Sequence, residues 1–228
     1  MQRITTMDKR DMRYRLIIFD FDGTLVDTIT DVGICFNQAL KNCGLPQHPL
    51  ERFGSFAGGN LETVVSKMLP ADQVTQENID RVKTCYRSLY LASSKPNSKP
   101  YEGMMELLQD LKKNGCKLAV NSNKGQVLLD DMTEKIFPAR FFDSVVGYLE
   151  SRPSKPDPAG VKLIAEQTGC SLEHAVYVGD GESDVQTAQN AGIPCVFVTW
   201  GQGSAPDEGS AEWLQQAKNV EQLRQLLL

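Results

Sequence analysis

One segment decides the fold: residues 16–24, LIIFDFDGT, in which a short apolar run changes abruptly into two aspartates and a glycine. An apolar run that stops at such a turn is typical of a strand buried in a parallel sheet. Residues two apart in an extended chain point to the same side, so Asp20 and Asp22 are expected to face one site. The segment therefore predicts a buried first strand with chemistry at its carboxyl end.

Short apolar strands alternate with helices along the second half of the chain, which favours an α/β fold with a doubly wound parallel sheet. Two of the helices carry specific start signals: Asp157 is the expected N-cap before Pro158, and Ser183 to Gln186 is the expected capping box. The further strands are expected at 116–120, 144–148, 175–178 and 195–198, and the helices at 104–114, 124–137, 157–169, 183–192 and 220–227.

The stretch between the first strand and residue 96 has a different pattern. Apolar residues recur at helical spacing over 27–43, 60–69 and 76–92, and no good strand is visible. The polar, proline-containing stretch 93–100 is typical of a linker. Three parts of the chain are therefore expected: a core of 13–27 and 96–228, an inserted helical cap subdomain of 28–95, and a loose N-terminal extension of 1–12.

Composition excludes several classes of function. The chain of 228 residues has 24 Lys and Arg against 29 Asp and Glu, a net charge of −5 that argues against a nucleic-acid partner. No apolar run approaches the roughly 20 residues of a membrane span. The six cysteines form no CxxC pair, and no secretory segment is visible, so we expect free thiols in a cytoplasmic protein. A monomer and a homodimer both fit this composition.

Polar side chains collect at the expected strand ends, where open parallel sheets bind their ligands. Clustered carboxylates repel one another unless a cation joins them, and oxygen ligands without His or Cys select Mg²⁺. A lysine and a hydroxyl group can hold phosphate oxygens, and a carboxylate can attack phosphorus to give an aspartyl-phosphate. The residues at the strand ends are Asp20, Asp22, Ser122, Asn123, Lys155, Asp180 and Asp184.

At these residues the chain resembles the haloacid dehalogenase-like hydrolases. Residues 19–28, FDFDGTLVDT, match the first motif of that family, Ser122 the second, Lys155 the third, and Gly179 to Asp184 the fourth. The insert after the first motif is similar to the helical cap of the subfamily that includes phosphoglycolate phosphatases. The resemblance implies a Rossmann-like core, a cap that sets specificity, and phosphoryl chemistry assisted by Mg²⁺.

The resemblance also implies a role for each residue. Asp20 would be the nucleophile, and Asp22 would protonate the leaving alcohol and then activate water. An aspartate at position 22 favours a phosphatase, because the dehalogenases of the family lack that acid. The other implied contacts are with phosphate, by Thr24, Ser122, Asn123 and Lys155, and with Mg²⁺, by Asp20, the backbone carbonyl of Asp22 and Asp180, supported by Asp184.

Two features of the sequence leave alternatives open. The glycine-rich loop with Gly58, Gly59 and Asn60 is either a specificity loop above the site or a plain connection between helices. Gly181 stands where relatives often carry Ser or Thr, which makes the orientation of Asp180 less certain. Taken singly, each motif also has a structural explanation as a turn, a cap or a solvated charge; their order at successive strand ends favours a site.

The leading hypothesis is a Mg²⁺-dependent phosphatase for a small phosphorylated metabolite, with 2-phosphoglycolate as the first candidate. The alternatives are a mutase similar to β-phosphoglucomutase, a pyrophosphatase or nucleotidase of the same family, and a phosphate-sensing protein without catalysis.

Overall fold

A parallel sheet with helices on both faces, and a block of helices inserted after its first strand, make up the architecture. The computed structural model describes residues 13–206 and 211–228, so the extension expected over 1–12 lies outside the described residues. The elements are, in chain order, β1 (Leu16–Phe19), β2 (Val26–Asp27), α1 (Ile29–Asn42), α2 (Phe53–Phe56), α3 (Leu61–Met68), α4 (Gln76–Ala92), β3 (Lys99–Pro100), α5 (Met104–Lys113), β4 (Lys117–Gly125), α6 (Gln126–Ile136), β5 (Ser144–Tyr148), α7 (Ala159–Thr168), β6 (Ala175–Gly179), α8 (Glu182–Ala191), β7 (Cys195–Val198), β8 (Leu214–Ala217) and α9 (Val220–Leu227).

The main sheet has six strands in the order β5-β4-β1-β6-β7-β8, and every neighbouring pair is parallel. All four residues of β1 are fully buried. Ile17 and Phe19 join an apolar cluster with α5, α6 and α9, whereas Leu16 and Ile18 join one with α7 and α8. Burial on both faces explains why this strand is a continuous apolar run. The predicted doubly wound α/β fold is confirmed.

The inserted block lies between two short strands. Helices α1 and α4 pack together through Phe36 and Tyr86, whose stacked ring centroids lie 3.8 Å apart. Strand β2 pairs antiparallel with β3, Val26 opposite Pro100 and Asp27 opposite Lys99. The chain therefore enters and leaves the helical block at one place. Two-residue strands are too short to give a recognisable pattern, and the sequence did not predict this pair.

Two predicted element boundaries are wrong. The strand expected at 116–120 continues to Gly125, because β4 pairs again with β5 at Gly125 and Tyr148 after a register shift. The helix expected from Lys124 therefore begins at Gln126. Strand β8, at the sheet edge, was not predicted at all: its sequence is LQQA, and only its two ends are buried.

Two predicted helix starts also need correction. The capping box at Ser183 does not form, since α8 begins at Glu182 and Gly181 is the N-cap. There the backbone N–H of Gly181 donates to Asp184 Oδ2 at 2.9 Å. Likewise α7 begins at Ala159, one residue later than expected, and Asp157 Oδ1 accepts the Ala159 amide at 2.8 Å.

All six cysteines are free thiols. No helix in the described ranges is both long and apolar enough to cross a membrane.

Candidate active site

A cavity of about 1180 Å³ opens at the carboxyl ends of β1, β4 and β6, between the sheet and the inserted helices. Its floor is formed by the strand-end residues, and its opposite wall is formed by α1, the 57–60 loop, α3 and α4. The floor residues that the sequence predicted are Asp20, Asp22, Ser122, Asn123, Lys155, Asp180 and Asp184.

Lys155 lies between two of the aspartates. Its Nζ is 3.0 Å from Asp20 Oδ1 and 2.6 Å from Asp184 Oδ1, and its side chain is only 4% exposed. Burial alone would lower the pKa of Lys155, but the carboxylates of Asp184 and Asp20 outweigh burial and raise this pKa well above its ordinary value. Asp20 Oδ1 also accepts the Phe21 amide at 2.7 Å. Oδ1 of Asp20 thus has two donors.

Asp20, Asp180 and Asp184 form a compact acidic cluster. Each offers a carboxylate oxygen, and these atoms lie within 4.8 Å of one another. Burial, and then the neighbouring carboxylates, raise the pKa of Asp20 to about 7, against the pull of Lys155. Burial and Asp184 raise the pKa of Asp180 to about 6. The group contains only oxygen donors and more negative charge than one lysine neutralises, so it fits a hard divalent cation such as Mg²⁺.

Asp180 is held on both of its oxygens. Thr24 Oγ1 donates to Oδ1 at 2.8 Å, and the backbone N–H of Gln202 donates to Oδ2 at 2.8 Å. Gly23, with φ of +80°, passes so close that an added Cβ would lie 2.5 Å from Oδ2. Thr24 is fully buried, and its single hydroxyl proton goes to Asp180. The structure therefore places this hydroxyl against the acidic cluster, and the phosphate contact that the sequence predicted for Thr24 stays a prediction.

Asp22 belongs to a different group of residues. Its Oδ1 accepts from Thr28 Oγ1 at 2.6 Å and lies 2.9 Å from Lys124 Nζ. The carboxylate is therefore not part of the described acidic cluster, and the expected metal contact through its backbone carbonyl stays a prediction. Sequence reasoning missed Lys124, because it was assigned to the start of a helix. Continuation of β4 would have placed it at the same sheet edge as Ser122.

Ser122 and Asn123 follow each other on β4 but have different surroundings. The buried Ser122 Oγ accepts the Lys124 amide at 3.3 Å, which leaves its hydroxyl proton available to a ligand. Asn123 instead uses its whole side-chain amide on the backbone of Lys155. In this structure the Asn123 side chain is engaged with the backbone of Lys155, and the phosphate contact predicted for Asn123 stays a prediction.

The predicted specificity loop faces the cavity. Gly58 and Gly59 have φ of +89° and +91°, values that favour glycine, and Asn60 caps α3 by accepting the Thr63 amide at 2.9 Å. Lys67 Nζ donates to the carbonyl of Gly58 at 3.3 Å and so holds the loop from α3. Gly58 and Gly59 line the cavity and Asn60 does not, and a role of this loop in specificity stays a prediction.

Gly181, the departure noted in the sequence, is the N-cap of α8 with φ of −111°, which any residue adopts. An added Cβ would lie 3.2 Å from Asp184 Oδ2. The backbone here does not require glycine, and the Gly181 amide still fixes Asp184.

The fold and the site together define a protein of the α/β class with a buried acidic cluster at the carboxyl edge of a parallel sheet. The family model described as "haloacid dehalogenase-like hydrolase" matches residues 17–198. The chain therefore belongs to the haloacid dehalogenase-like hydrolase family, and it is a phosphatase of that family.

Curated relatives carry a more specific name. The phosphoglycolate phosphatase of Aquifex aeolicus is 31% identical over 187 residues, which cover 82% of this chain and 85% of the relative. Phosphoglycolate phosphatase 1 of Pseudomonas aeruginosa is 29% identical over 191 residues, covering 82% and 70%. A crystal structure of a candidate phosphoglycolate phosphatase from Lactobacillus delbrueckii subsp. bulgaricus has a TM-score of 0.86 and 27% identity, covering 95% of this chain and 99% of that one.

Proposed function

We propose that the protein hydrolyses a phosphate monoester in a Mg²⁺-dependent reaction that passes through an aspartyl-phosphate on Asp20. The observation that carries this proposal is the arrangement around Asp20. Lys155 and the Phe21 amide occupy Oδ1, while the two other acids of the cluster lie within 4.8 Å. A carboxylate held on one oxygen and free on the other is suited to nucleophilic attack.

In the first half of the reaction, Asp20 Oδ2 attacks phosphorus, and the bond between phosphorus and the ester oxygen breaks. The departing oxygen takes a proton from Asp22, which lies at the same strand end. Lys155 and Ser122 hold the phosphoryl oxygens, since both line the cavity and both can still donate a hydrogen bond. The alcohol then leaves, and the phosphoryl group remains on Asp20.

In the second half, a water molecule attacks the phosphorus of the aspartyl-phosphate. Asp22, now a carboxylate, accepts the proton of this water. The bond between phosphorus and Asp20 Oδ2 breaks, inorganic phosphate is released, and both aspartates return to their starting states.

The acidic cluster provides the place for the metal. Asp20, Asp180 and the backbone carbonyl of Asp22 would hold Mg²⁺, with Asp184 in support. Bound there, the ion would neutralise charge between the nucleophile and the phosphoryl group. Thr24 would act in this scheme through Asp180, whose Oδ1 it holds.

For the substrate we propose 2-phosphoglycolate, a short ester with a carboxylate as its second negative group. The names of the curated relatives support this choice. The cavity wall supports it too, because the α4 residue Arg87 lines the cavity. Its guanidinium forms no hydrogen bond or ion pair with any residue in the described ranges, so it is free to accept a carboxylate.

The test is phosphate release from a panel of esters with and without Mg²⁺. The panel contains 2-phosphoglycolate, sugar phosphates, nucleoside monophosphates and pyrophosphate, with Asp20→Asn as the inactive control. One dominant, Mg²⁺-dependent ester is the expected result. Preference for pyrophosphate or a nucleotide would show that 2-phosphoglycolate is not the substrate. Isomerisation of a sugar phosphate without phosphate release would identify a mutase, and no turnover at all would refute the proposal.

A further inference from the structure

We infer that Lys124 is a positioning residue for Asp22, and that Tyr90 of the inserted helices holds Lys124 in place. The inference rests on the proposed function, in which Asp22 protonates the leaving oxygen. It assigns a task to a buried lysine that the proposed mechanism does not use.

Lys124 and Thr28 approach the same oxygen of Asp22. The distances to Oδ1 are 2.9 Å from Lys124 Nζ and 2.6 Å from Thr28 Oγ1. No contact of Asp22 Oδ2 is found among the described residues. Both residues line the cavity, and the carboxylate is the more accessible of the two, since the Asp22 side chain is 32% exposed and that of Lys124 is 6% exposed. Two donors on Oδ1 therefore direct Oδ2 toward a substrate.

Tyr90, on α4, fixes the other side of Lys124. The lysine Nζ lies 4.6 Å from the centre of the Tyr90 ring, a separation at which an ammonium group is attracted to an aromatic face. The ring is itself enclosed by protein, because it is fully buried and its hydroxyl lies 3.8 Å from Met132 Sδ. Lys95 Nζ, paired with Asp131 at 2.9 Å, contacts the same ring at 4.9 Å.

These contacts form a continuous path from the inserted helices to the proposed acid: Tyr90, then Lys124, then Asp22. A buried ammonium group is costly unless a carboxylate compensates it, and Asp22 is its ion-pair partner in the described ranges. The pairing therefore fixes the two side chains together. Leaving-group protonation depends on where Asp22 Oδ2 points, so loss of Lys124 should weaken that step most.

The experiment measures how the rate depends on the leaving group. Alkyl esters such as 2-phosphoglycolate need protonation of the departing oxygen, whereas 4-nitrophenyl phosphate needs little. We expect Lys124→Met to lower kcat/KM about 100-fold for 2-phosphoglycolate and less than about 5-fold for 4-nitrophenyl phosphate. Asp22→Asn supplies the reference pattern of lost protonation. Lys113→Met, at a lysine that is 72% exposed, is the control and should change neither rate.

Lys124→Arg and Lys124→Gln keep the inference falsifiable if the methionine variant does not fold. Arginine preserves the charge and should restore part of the rate on 2-phosphoglycolate, whereas glutamine should show the same selective loss as methionine. An equal loss on both esters in folded variants would overturn the inference. A wild-type protein that hydrolyses neither ester would refute the proposed function instead, so the two failures are distinguishable.

Discussion

The side-chain amide of Asn123 makes two hydrogen bonds with the backbone of Lys155. Its Oδ1 accepts the Lys155 N–H at 2.8 Å, and its Nδ2 donates to the Lys155 carbonyl at 3.2 Å. The two residues are 32 positions apart in the chain: Asn123 lies on β4, and Lys155 lies in a turn between β5 and α7. These two hydrogen bonds fix the position of the Lys155 backbone. They thereby fix the position from which the Lys155 side chain reaches Asp20 with its Nζ.

Asn123→Ala should therefore act through Lys155. We expect kcat/KM to fall about 10- to 100-fold, because a small displacement of a group that holds the substrate has a large effect on rate. The fall should be the same for every phosphate ester, since Lys155 is proposed to contact only the shared phosphoryl group. The measurement is kcat/KM for 2-phosphoglycolate and 4-nitrophenyl phosphate. A loss on one ester alone would contradict a role through Lys155.

Asp20→Asn should remove turnover while leaving the fold intact. The amide has the same shape as the carboxylate but cannot attack phosphorus, so kcat should fall by more than about 1000-fold. Circular dichroism would check the fold, and phosphate release would check the activity. Asp72→Asn, at an exposed carboxylate outside the cavity, is the matched control and should behave as wild type. Retained turnover would show that Asp20 is not the nucleophile.

Magnesium should stabilise the protein more at pH 8 than at pH 5. The pKa of Asp20 is raised from 3.8 to about 7, so the folded chain holds this proton more tightly than the unfolded chain. The contribution of this group to the free energy of unfolding is therefore full below pH 3.8 and is lost as the pH rises to about 7. Above that range Asp20 is deprotonated, so repulsion among the carboxylates of the cluster is largest and a bound cation stabilises the fold most.

The corresponding measurement is Tm with and without Mg²⁺ at the two pH values. Asp180→Asn should reduce the gain at pH 8, because it removes one proposed ligand. The same gain in Tm at pH 5 and pH 8 would show that the carboxyl groups with a raised pKa, Asp20 and Asp180, do not bind the ion.

Arg87→Met should change which ester is preferred. If Arg87 receives the carboxylate of 2-phosphoglycolate, its loss should raise KM for that ester about 10-fold or more. Ethyl phosphate, which lacks the carboxylate, should be unaffected. Arg81→Met on the same helix is the control, because Arg81 donates to Asn78 Oδ1 at 3.2 Å and does not line the cavity. Equal effects on both esters would remove Arg87 from the recognition of the substrate tail.

Much of the fold could be predicted because local patterns decided it. The run Leu16–Phe19 is apolar throughout since both of its faces are buried, and Gln76–Ala92 has helical spacing along its full length. Strand β8 could not be predicted in the same way. Its two middle residues are glutamines, and pairing with β7, not its own sequence pattern, makes Leu214–Ala217 a strand.

In the candidate site, too, some residues could be predicted from the sequence and others could not. Side chains that follow a strand directly, such as Asp20 and Asp180, could be located because strand ends share one edge of the sheet. The partners of those side chains could not. Lys124 on Asp22 and Asn123 on Lys155 depend on three-dimensional contacts, and both residues lie on the part of β4 beyond the predicted strand end at 120.

The pairing of β2 with β3 brings the two ends of the helical insert side by side. Val26 and Pro100 are direct neighbours, so the two cut ends of the sheet-bearing part would already meet if everything between them were removed. A turn of roughly two to five residues is enough to join antiparallel strands at that spacing. The same junction would accept a foreign helical unit of a different length. Such an exchange would alter one wall of the cavity and leave the strand-end acids of the opposite wall in place.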